Sequence, residues 1–175
     1  MRVIAGLAPK LKVIVDYNCL TTGLEGFLKH GRELDRLPNV LCIEDPIDKS
    51  NLAAYREIRK QLQTPIALHL GDSRTMIAAI KAEACTIFNT GNAPGMAGFV
   101  ANCYLAAAAG MPVWHGSSHD LGISDASYLH SCAAAPNCTL PSDILSYQRV
   151  DDLIAEPIRI ESSYATVSDR PDLGV

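Results

Sequence analysis

The stretches Val13-Ile14-Val15-Asp16-Tyr17-Asn18 and Val40-Leu41-Cys42-Ile43-Glu44-Asp45-Pro46 decide the fold. Each is an apolar run, rich in β-branched residues, that ends abruptly at a carboxylate, which is the pattern of a fully buried strand. Acids that end neighbouring parallel strands lie at one edge of a sheet and suit a hard divalent cation. A single stretch would equally fit an acid that merely starts a turn, as Asp16 or Asp45 would. Repetition of the pattern along the chain favours the cation site.

The strand-and-helix unit recurs at intervals of 20 to 28 residues. The polar residues that end the six predicted strands are Asp16, Glu44, His69, Asn89, His115 and Asp143. Apolar residues at helical spacing lie between them, so the chain predicts an α/β fold with a parallel sheet and polar strand ends that form a barrel mouth. A doubly wound open sheet competes with this, but no glycine-rich phosphate fingerprint follows the first strand. The alternating tail from Glu156 predicts a small hairpin.

Composition limits the functions that the chain can have. Its 175 residues, 48% of them hydrophobic, suffice for one domain with a sizeable core. A net charge of −4 argues against a nucleic-acid partner. No apolar run approaches the roughly 20 residues that span a membrane, and no long apolar segment opens the sequence. Six cysteines without a Cys-x-x-Cys pair predict reduced, buried thiols, and we therefore expect a cytoplasmic protein.

Four motifs in the expected order resemble the C-terminal barrel of the enolase superfamily, in its mandelate racemase and muconate lactonizing branch. They are Val15-Asp16-Tyr17-Asn18, Ile43-Glu44-Asp45-Pro46, Gly110-Met111-Pro112-Val113 and Arg170-Pro171-Asp172-Leu173-Gly174-Val175. The resemblance implies a partial (β/α)8 TIM-type barrel, with parallel strands 3 to 8, intervening helices and a C-terminal hairpin. Residues 1–175 would then be one barrel domain, N-terminally incomplete, without the capping domain and the strand that carries the family's catalytic lysines.

The resemblance also implies a metal site. In the family, acids that end the third, fourth and fifth strands bind magnesium, which holds the substrate carboxylate and stabilises the enediolate left when a base removes the α-proton. Asp16 and Glu44 fall on the first two ligand positions, and His69 falls on the third, where an acid is usual. Asp72 could substitute if its loop bends back. Because imidazole is a softer, neutral ligand, we expect Mg²⁺ or, owing to His69, Mn²⁺ or another divalent cation.

Histidine and amide side chains supply the other candidates. His115 ends the strand where the racemase-like branch carries a catalytic histidine, although a hydrogen-bonded residue at the barrel rim would also fit; His119 is a second candidate. Asn89 or Asn92 stands where an aspartate usually orients that histidine. Asn18 and Asp143 are predicted to contact the substrate, and the other reading of Asp143 is a cap for the following loop.

These observations predict a metal-dependent protein that removes the proton α to the carboxylate of a small hydroxy or sugar acid, as a racemase, cycloisomerase or dehydratase. The alternative is a non-catalytic barrel fragment with a residual metal site. A zinc hydrolase is disfavoured because no His-x-His ends a first strand. Six strands cannot close as eight do, so the strands at Leu11–Val15 and Cys138–Leu140 would have free edges. We therefore expect either a further N-terminal part in the native molecule or a homo-oligomer.

Overall fold

A computed structural model describes residues 1–116 and 120–175. The helices are α1 (Arg2–Leu7), α2 (Gly23–Leu34), α3 (Leu52–Gln61), α4 (Ser73–Lys81), α5 (Gly95–Ala108) and α6 (Gly122–Ala134), with a 3₁₀ turn at Ser146–Gln148. The strands are β1 (Val13–Asp16), β2 (Val40–Glu44), β3 (Ile66–His69), β4 (Ile87–Asn89), β5 (Val113–Trp114), β6 (Ile160–Glu161) and β7 (Tyr164–Ala165). No described helix is both long and apolar enough to cross a membrane. The chain divides into two compact units, residues 1–69 with 74–88 and residues 70–73 with 89–175.

The first unit is built on a parallel sheet in which β2 lies between β1 and β3. The register places Asp16 beside Glu44 and Glu44 beside Ala67, so the carboxyl ends of three strands share one edge. Thr86, just before β4, donates its backbone N–H to the Ile66 carbonyl and extends the sheet beyond β3. The predicted parallel α/β arrangement is therefore present in this unit.

Helices α2 and α3 cover the sheet of the first unit with the faces that the apolar spacing predicts. The buried residues of α2 are Phe27, Leu28, Gly31 and Leu34, and those of α3 are Ala54, Tyr55 and Ile58. Burying one such large side chain contributes about 1.5–3 kcal/mol to folding. The Tyr55 hydroxyl donates to the Ile47 carbonyl at 2.6 Å, so the phenol is buried without losing its hydrogen bond.

The two helices begin differently. Asn51 caps α3 by accepting a hydrogen bond from the Ala54 N–H at 3.1 Å. The capping-box spacing at Thr22 predicts the same for α2, but the Thr22 side chain makes no capping hydrogen bond.

In the second unit, β5 pairs with the end of β4, since the Thr90 N–H donates to the Trp114 carbonyl at 3.2 Å. The predicted sixth strand at Cys138–Leu140 is reduced to one parallel bridge between Val113 and Cys138. The flanking Pro136 and Pro141 lack the N–H groups that a longer ladder needs. That part of the prediction is wrong in length, although the bridge lies where the strand was expected.

The tail forms the predicted hairpin. Ile160 pairs with Ala165 and Glu161 with Tyr164 in antiparallel register. The turn residues Ser162 and Ser163 have φ of +50° and +68°, which lets a two-residue loop reverse the chain.

The cysteines divide into two groups. Cys42, Cys85 and Cys103 are buried, as predicted, whereas Cys19, Cys132 and Cys138 are half-buried. All six are free thiols, so the prediction of reduced cysteines agrees with the structure and the prediction of burial holds for three.

Candidate functional site

Three ionisable side chains of the first unit meet where β2 and β3 end. Each of Glu44, Asp45 and His69 offers one ligand atom, and these atoms lie within 4.8 Å of one another. Glu44 and Asp45 are only 5% and 3% exposed. The sheet register explains the cluster, because parallel neighbours bring their carboxyl ends to the same edge.

Asp45 is held by backbone groups on both sides. Its φ of +41° turns the chain sharply after β2. Its carbonyl accepts from the Cys19 N–H at 2.8 Å, and its carboxylate Oδ1 accepts from the His69 N–H at 3.0 Å. The carboxylate thus faces β3 and lies beside the imidazole that β3 carries.

Lys49 supplies a positive charge to the same cluster. Its Nζ lies 2.6 Å from Asp45 Oδ2 and donates to the His69 carbonyl at 3.0 Å. Its side chain is 34% exposed, so solvent screens this ion pair in part. The ammonium offsets one of the two carboxylate charges and would compete with a cation for Asp45.

The geometry of the cluster fits one divalent cation. Oxygen and nitrogen ligands lie about 2.0–2.6 Å from such ions, so two ligands of one ion are separated by up to about 4–5 Å. Glu44 Oε1 and His69 Nδ1 are 3.7 Å apart, within this range. Two carboxylates and an imidazole also form a donor set suited to manganese, iron or zinc as well as magnesium.

Asp16 takes a different position from the one predicted. It lies in register with Glu44 at the end of β1, but it is exposed, and its Oδ1 accepts from the Asn18 N–H at 2.8 Å. Among the described residues, the cluster holds Asp45 and does not include Asp16. Asp16 as a ligand therefore stays a prediction.

Asp72, the alternative third metal ligand, and Asn18, the predicted substrate contact after β1, are both exposed. Asp72 lies in the 70–73 segment of the second unit. Asn18 follows β1 with φ of +47° and turns the chain there. Their roles as a metal ligand and as a substrate contact remain predictions.

His115 lies in the second unit and is only 1% exposed. Its ring stacks on Tyr128, with centroids 3.9 Å apart, and meets the edge of Phe99 at 5.9 Å. Its Nε2 is buried without a hydrogen-bond partner in the described part of the chain. Burial lowers the pKa of His115 by desolvating its charged form, against the opposing effects of nearby acids. The imidazole is therefore neutral at pH 7 and can accept a proton.

The segment after the Val113–Cys138 bridge fixes the backbone of His115. The His115 N–H donates to Ser142 Oγ at 3.0 Å, and the Asp143 N–H donates to the His115 carbonyl at 2.9 Å. His115, Ser142 and Asp143 all line a cavity of about 760 Å³ within this unit. Two predicted site residues, His115 and Asp143, therefore belong to one cavity.

Asp125 is a buried acid in the same cavity that sequence reasoning missed. Its Oδ2 accepts from the N–H groups of Leu145 and Ser146, at 3.2 and 2.8 Å. Its Oδ1 has no hydrogen-bond partner in the described ranges. It lies on the first turn of α6, where the sequence pattern gives no sign of burial.

The side chain of Asn89 hydrogen-bonds to the backbone just after β4 and just after β5. Its Oδ1 accepts from the N–H groups of Gly91 and Gly116, both at 3.0 Å.

The predicted second histidine candidate, His119, lies outside the described residues. His130 contacts the Leu173 carbonyl at 3.3 Å and His30 is exposed, so neither contributes to the cluster or to the lining of the cavity.

Comparison with known proteins identifies the family. Residues 2–175 match the family described as "Enolase C-terminal domain-like". The chain therefore belongs to the enolase superfamily, as the sequence motifs predict.

The curated relatives are metabolic enzymes of greater length. The N-succinylamino acid racemase of Amycolatopsis sp is 32% identical over 143 residues, which span 78% of this chain and 38% of that protein. The o-succinylbenzoate synthase of Bacillus subtilis (strain 168) is 31% identical over 155 residues, which span 82% of this chain and 40% of that protein. The chain thus spans about two fifths of the length of these relatives.

Solved structures show the same fold. The muconate lactonizing enzyme of Pseudomonas fluorescens, complexed with muconolactone, superposes with a TM-score of 0.91 at 20% identity, covering 99% of this chain and 47% of that one. The L-Ala-D/L-Glu epimerase of Bacillus subtilis gives 0.85 at 20% identity, covering 93% and 46%. The predicted partial TIM-type barrel with a C-terminal hairpin is confirmed.

Proposed function

We propose that this chain forms part of a divalent-cation-dependent enzyme that removes the proton α to the carboxylate of a small hydroxy or sugar acid, as a racemase, cycloisomerase or dehydratase does. The observation that carries the proposal is the cluster of Glu44, Asp45 and His69 at the carboxyl ends of β2 and β3. Membership of the enolase superfamily supports it, since the curated relatives include a racemase and a synthase.

Glu44 and His69 would hold the cation, together with Asp16, which the sequence predicts, or Asp45, which the geometry favours. Magnesium is the expected ion, and the imidazole nitrogen makes manganese a strong competitor. A bound cation acts as a Lewis acid that attracts the substrate carboxylate and lowers the energy of negative charge beside it. In the metal-free protein, the Lys49 ammonium pairs with Asp45 and so reduces the net negative charge of the cluster.

His115 would take up the substrate proton at Nε2. Its lowered pKa keeps it neutral and able to accept a proton at pH 7. Tyr128 and Phe99 keep the ring in place and exclude water from its faces. The Asp143 backbone fixes the position of the strand end, and its carboxylate is the proposed contact for a substrate hydroxyl.

The second candidate function is a non-catalytic domain that retains the cation site. Two observations favour it: His115 is 1% exposed, so a substrate would reach it only if its surroundings moved, and Lys49 already pairs with Asp45 at 2.6 Å. Such a domain would bind metal without turning over a substrate.

Calorimetric titration with Mg²⁺ and Mn²⁺ tests the cation site. Glu44→Gln keeps the size of the side chain but removes its charge, and we expect binding to weaken by about tenfold or more, as for loss of a charged ligand. Asp16→Asn and Asp45→Asn, compared side by side, identify the third carboxylate, and Glu57→Gln on the exposed face of α3 is the matched control. Equal affinity of wild type and Glu44→Gln would refute the site.

Exchange of the α-hydrogen for deuterium separates the two functions. A panel of 2-hydroxy acids and sugar acids is incubated in heavy water with the protein and metal, and the label is followed by NMR. We expect exchange that is lost in His115→Asn. Metal binding without any exchange would favour the non-catalytic alternative.

A further inference from the structure

Two thiols of the second unit, Cys132 and Cys138, line the same cavity as His115. Cys132 lies in the last turn of α6, and Cys138 forms the bridge to Val113. Both are half-buried and both line the cavity of about 760 Å³, so small molecules can reach them.

A short, anchored turn holds the two thiols together. The Ala135 N–H donates to the Cys132 carbonyl at 3.2 Å, and the Cys138 N–H donates to the Ala135 carbonyl at 3.0 Å. The Asn137 side chain donates to the carbonyls of Cys103 and Met111, at 2.9 and 3.1 Å. Because the turn is fixed at both ends, joining the two sulfurs would cost little loop-closure entropy.

Polar groups converge on the Cys138 sulfur. Ser142 Oγ lies 3.8 Å from it and also accepts a hydrogen bond from the His115 N–H. The Cys132 hydrogen bond, with the contributions of Ser142 and His115, lowers the pKa of Cys138 despite its burial, whereas the same hydrogen bond raises the pKa of Cys132. The groups that face this sulfur are thus Cys132 of α6, Cys103 of α5, the Ser142 hydroxyl and the His115 backbone.

The buried cysteines lack this arrangement. Burial raises the pKa of Cys42, Cys85 and Cys103 to about 12, so that each is a thiol at neutral pH. Thiolates, and not thiols, attack disulfides and alkylating agents. Reactivity should therefore concentrate at Cys138.

We propose that Cys138 is a modification site for low-molecular-weight disulfides, such as glutathione disulfide, and that Cys132 is the thiol that resolves the adduct. The Cys138 thiolate attacks one sulfur of the disulfide, forms a mixed disulfide and releases one thiolate. Cys132 then loses its proton to solvent and attacks Cys138 Sγ, which forms the intramolecular bond and expels the second thiolate. The two protein thiols are oxidised, and the small disulfide is reduced to two thiols.

Mapping the products by mass spectrometry tests the proposal on the 175-residue chain. Chymotryptic cleavage after Leu129 and Leu145 gives the peptide His130–Leu145, which contains no other cysteine, because Pro141 blocks cleavage after Leu140. After treatment with glutathione disulfide, we expect this peptide to lack two hydrogens and to resist alkylation. Cys132→Ser should keep a stable glutathione adduct on Cys138, and Cys138→Ser should give neither product. Cys19→Ser, which alters the half-buried cysteine of the first unit, should react as wild type does.

The pH dependence of iodoacetamide labelling gives a second readout that needs no variant. Labelling of Cys138 in the wild type should reach half its maximal rate at lower pH than labelling of Cys19, whose pKa is raised by burial. Faster labelling of Cys19, or an oxidised product that joins two chains in place of the Cys132–Cys138 peptide, would overturn the proposal.

Discussion

The imidazole ring of His115 lies on the phenol ring of Tyr128, with centroids 3.9 Å apart and planes inclined by 29°. The contact covers one face of the imidazole, and the edge of Phe99 covers more of the ring. A charged imidazolium would lose hydration in this position, so the fold favours the neutral ring. Stability should therefore depend on pH through this residue.

We expect the free energy of unfolding to fall as the pH is lowered below about 6.5, the ordinary pKa of histidine. In that range the unfolded chain binds a proton at residue 115 and the folded chain does not, because the folded pKa is lowered, so acid favours unfolding. The loss stops once the pH passes below the folded pKa. Urea denaturation at a series of pH values measures it.

His115→Gln should flatten the pH dependence of stability between pH 7.5 and about 5.5, since the titrating group is gone. His30→Gln, at an exposed position on α2, is the matched control and should keep the wild-type dependence. An equally steep decline in His115→Gln would show that another group causes it.

Replacing Lys49 by methionine should change metal affinity. The substitution keeps an apolar side chain of similar length but removes the ammonium that lies 2.6 Å from Asp45. If Asp45 is a ligand, we expect binding of Mn²⁺ to tighten by about tenfold, or about 1.4 kcal/mol, because the 34% exposure of the Lys49 side chain lets solvent screen most of the few kcal/mol that a nearby unit charge is worth at an effective dielectric constant of about 20. Calorimetry on the folded variant measures the change.

Lys60→Met is the control for this comparison, because Lys60 pairs with the exposed Glu57 on α3 and should leave metal binding unaltered. The metal-free Lys49→Met protein should also be less stable, since Asp45 would be buried without its cation. Unchanged affinity in Lys49→Met would exclude Asp45 as a ligand and favour Asp16.

Gly91 cannot carry a side chain without moving the backbone. A Cβ placed there would lie 2.0 Å from the carbonyl oxygen of Gly116. We expect Gly91→Ala to destabilise the protein by about 1–3 kcal/mol or more, the range for overpacked sites. Gly6→Ala is the control: it lies in α1 with nothing near the added atom and should be neutral or stabilising by up to about 1 kcal/mol. Equal stabilities in urea denaturation would contradict the prediction.

The open edge of β1 should make the chain associate. Within the described residues β1 pairs only with β2, and the adjacent Leu11 is 54% exposed. Unpaired strand edges beside apolar side chains recruit other chains, and lysines prevent this. Light scattering during size-exclusion chromatography should show oligomers that Leu11→Lys reduces. Leu20→Lys, in an exposed loop, should not reduce them, and a stable wild-type monomer would contradict the prediction.

The sequence predicts most of the fold because the strands are short apolar runs and the helices have apolar faces at regular spacing. Phe27 and Leu28 are buried as that spacing requires. The predicted length of the sixth strand was wrong because strand pairing needs backbone N–H donors, and Pro136 and Pro141, on either side of Cys138, have none. The pattern of apolar residues does not show where such backbone donors are missing.

The candidate site was predictable only in part. The strand-end positions of Glu44 and His69 follow from the repeat, and the two side chains do meet. The inclusion of Asp45 depends on its φ of +41°, which a sequence pattern does not reveal for a residue other than glycine. The burial of Asp125 depends on the Leu145–Ser146 backbone reaching it from 20 residues along the chain, a long-range contact without a local signal.

Asp45 accepts hydrogen bonds from two backbone amides, those of Cys19 and His69, which are distant in sequence. Its carbonyl holds the Cys19 amide and its carboxylate holds the His69 amide, so neither proton can exchange with solvent while Asp45 keeps its place. Their hydrogen–deuterium exchange rates should therefore rise and fall together across temperature, as expected for groups that open in one local unfolding event. A cation bound at this edge would slow both rates equally, and the two amide signals would report its arrival from positions 50 residues apart in the chain.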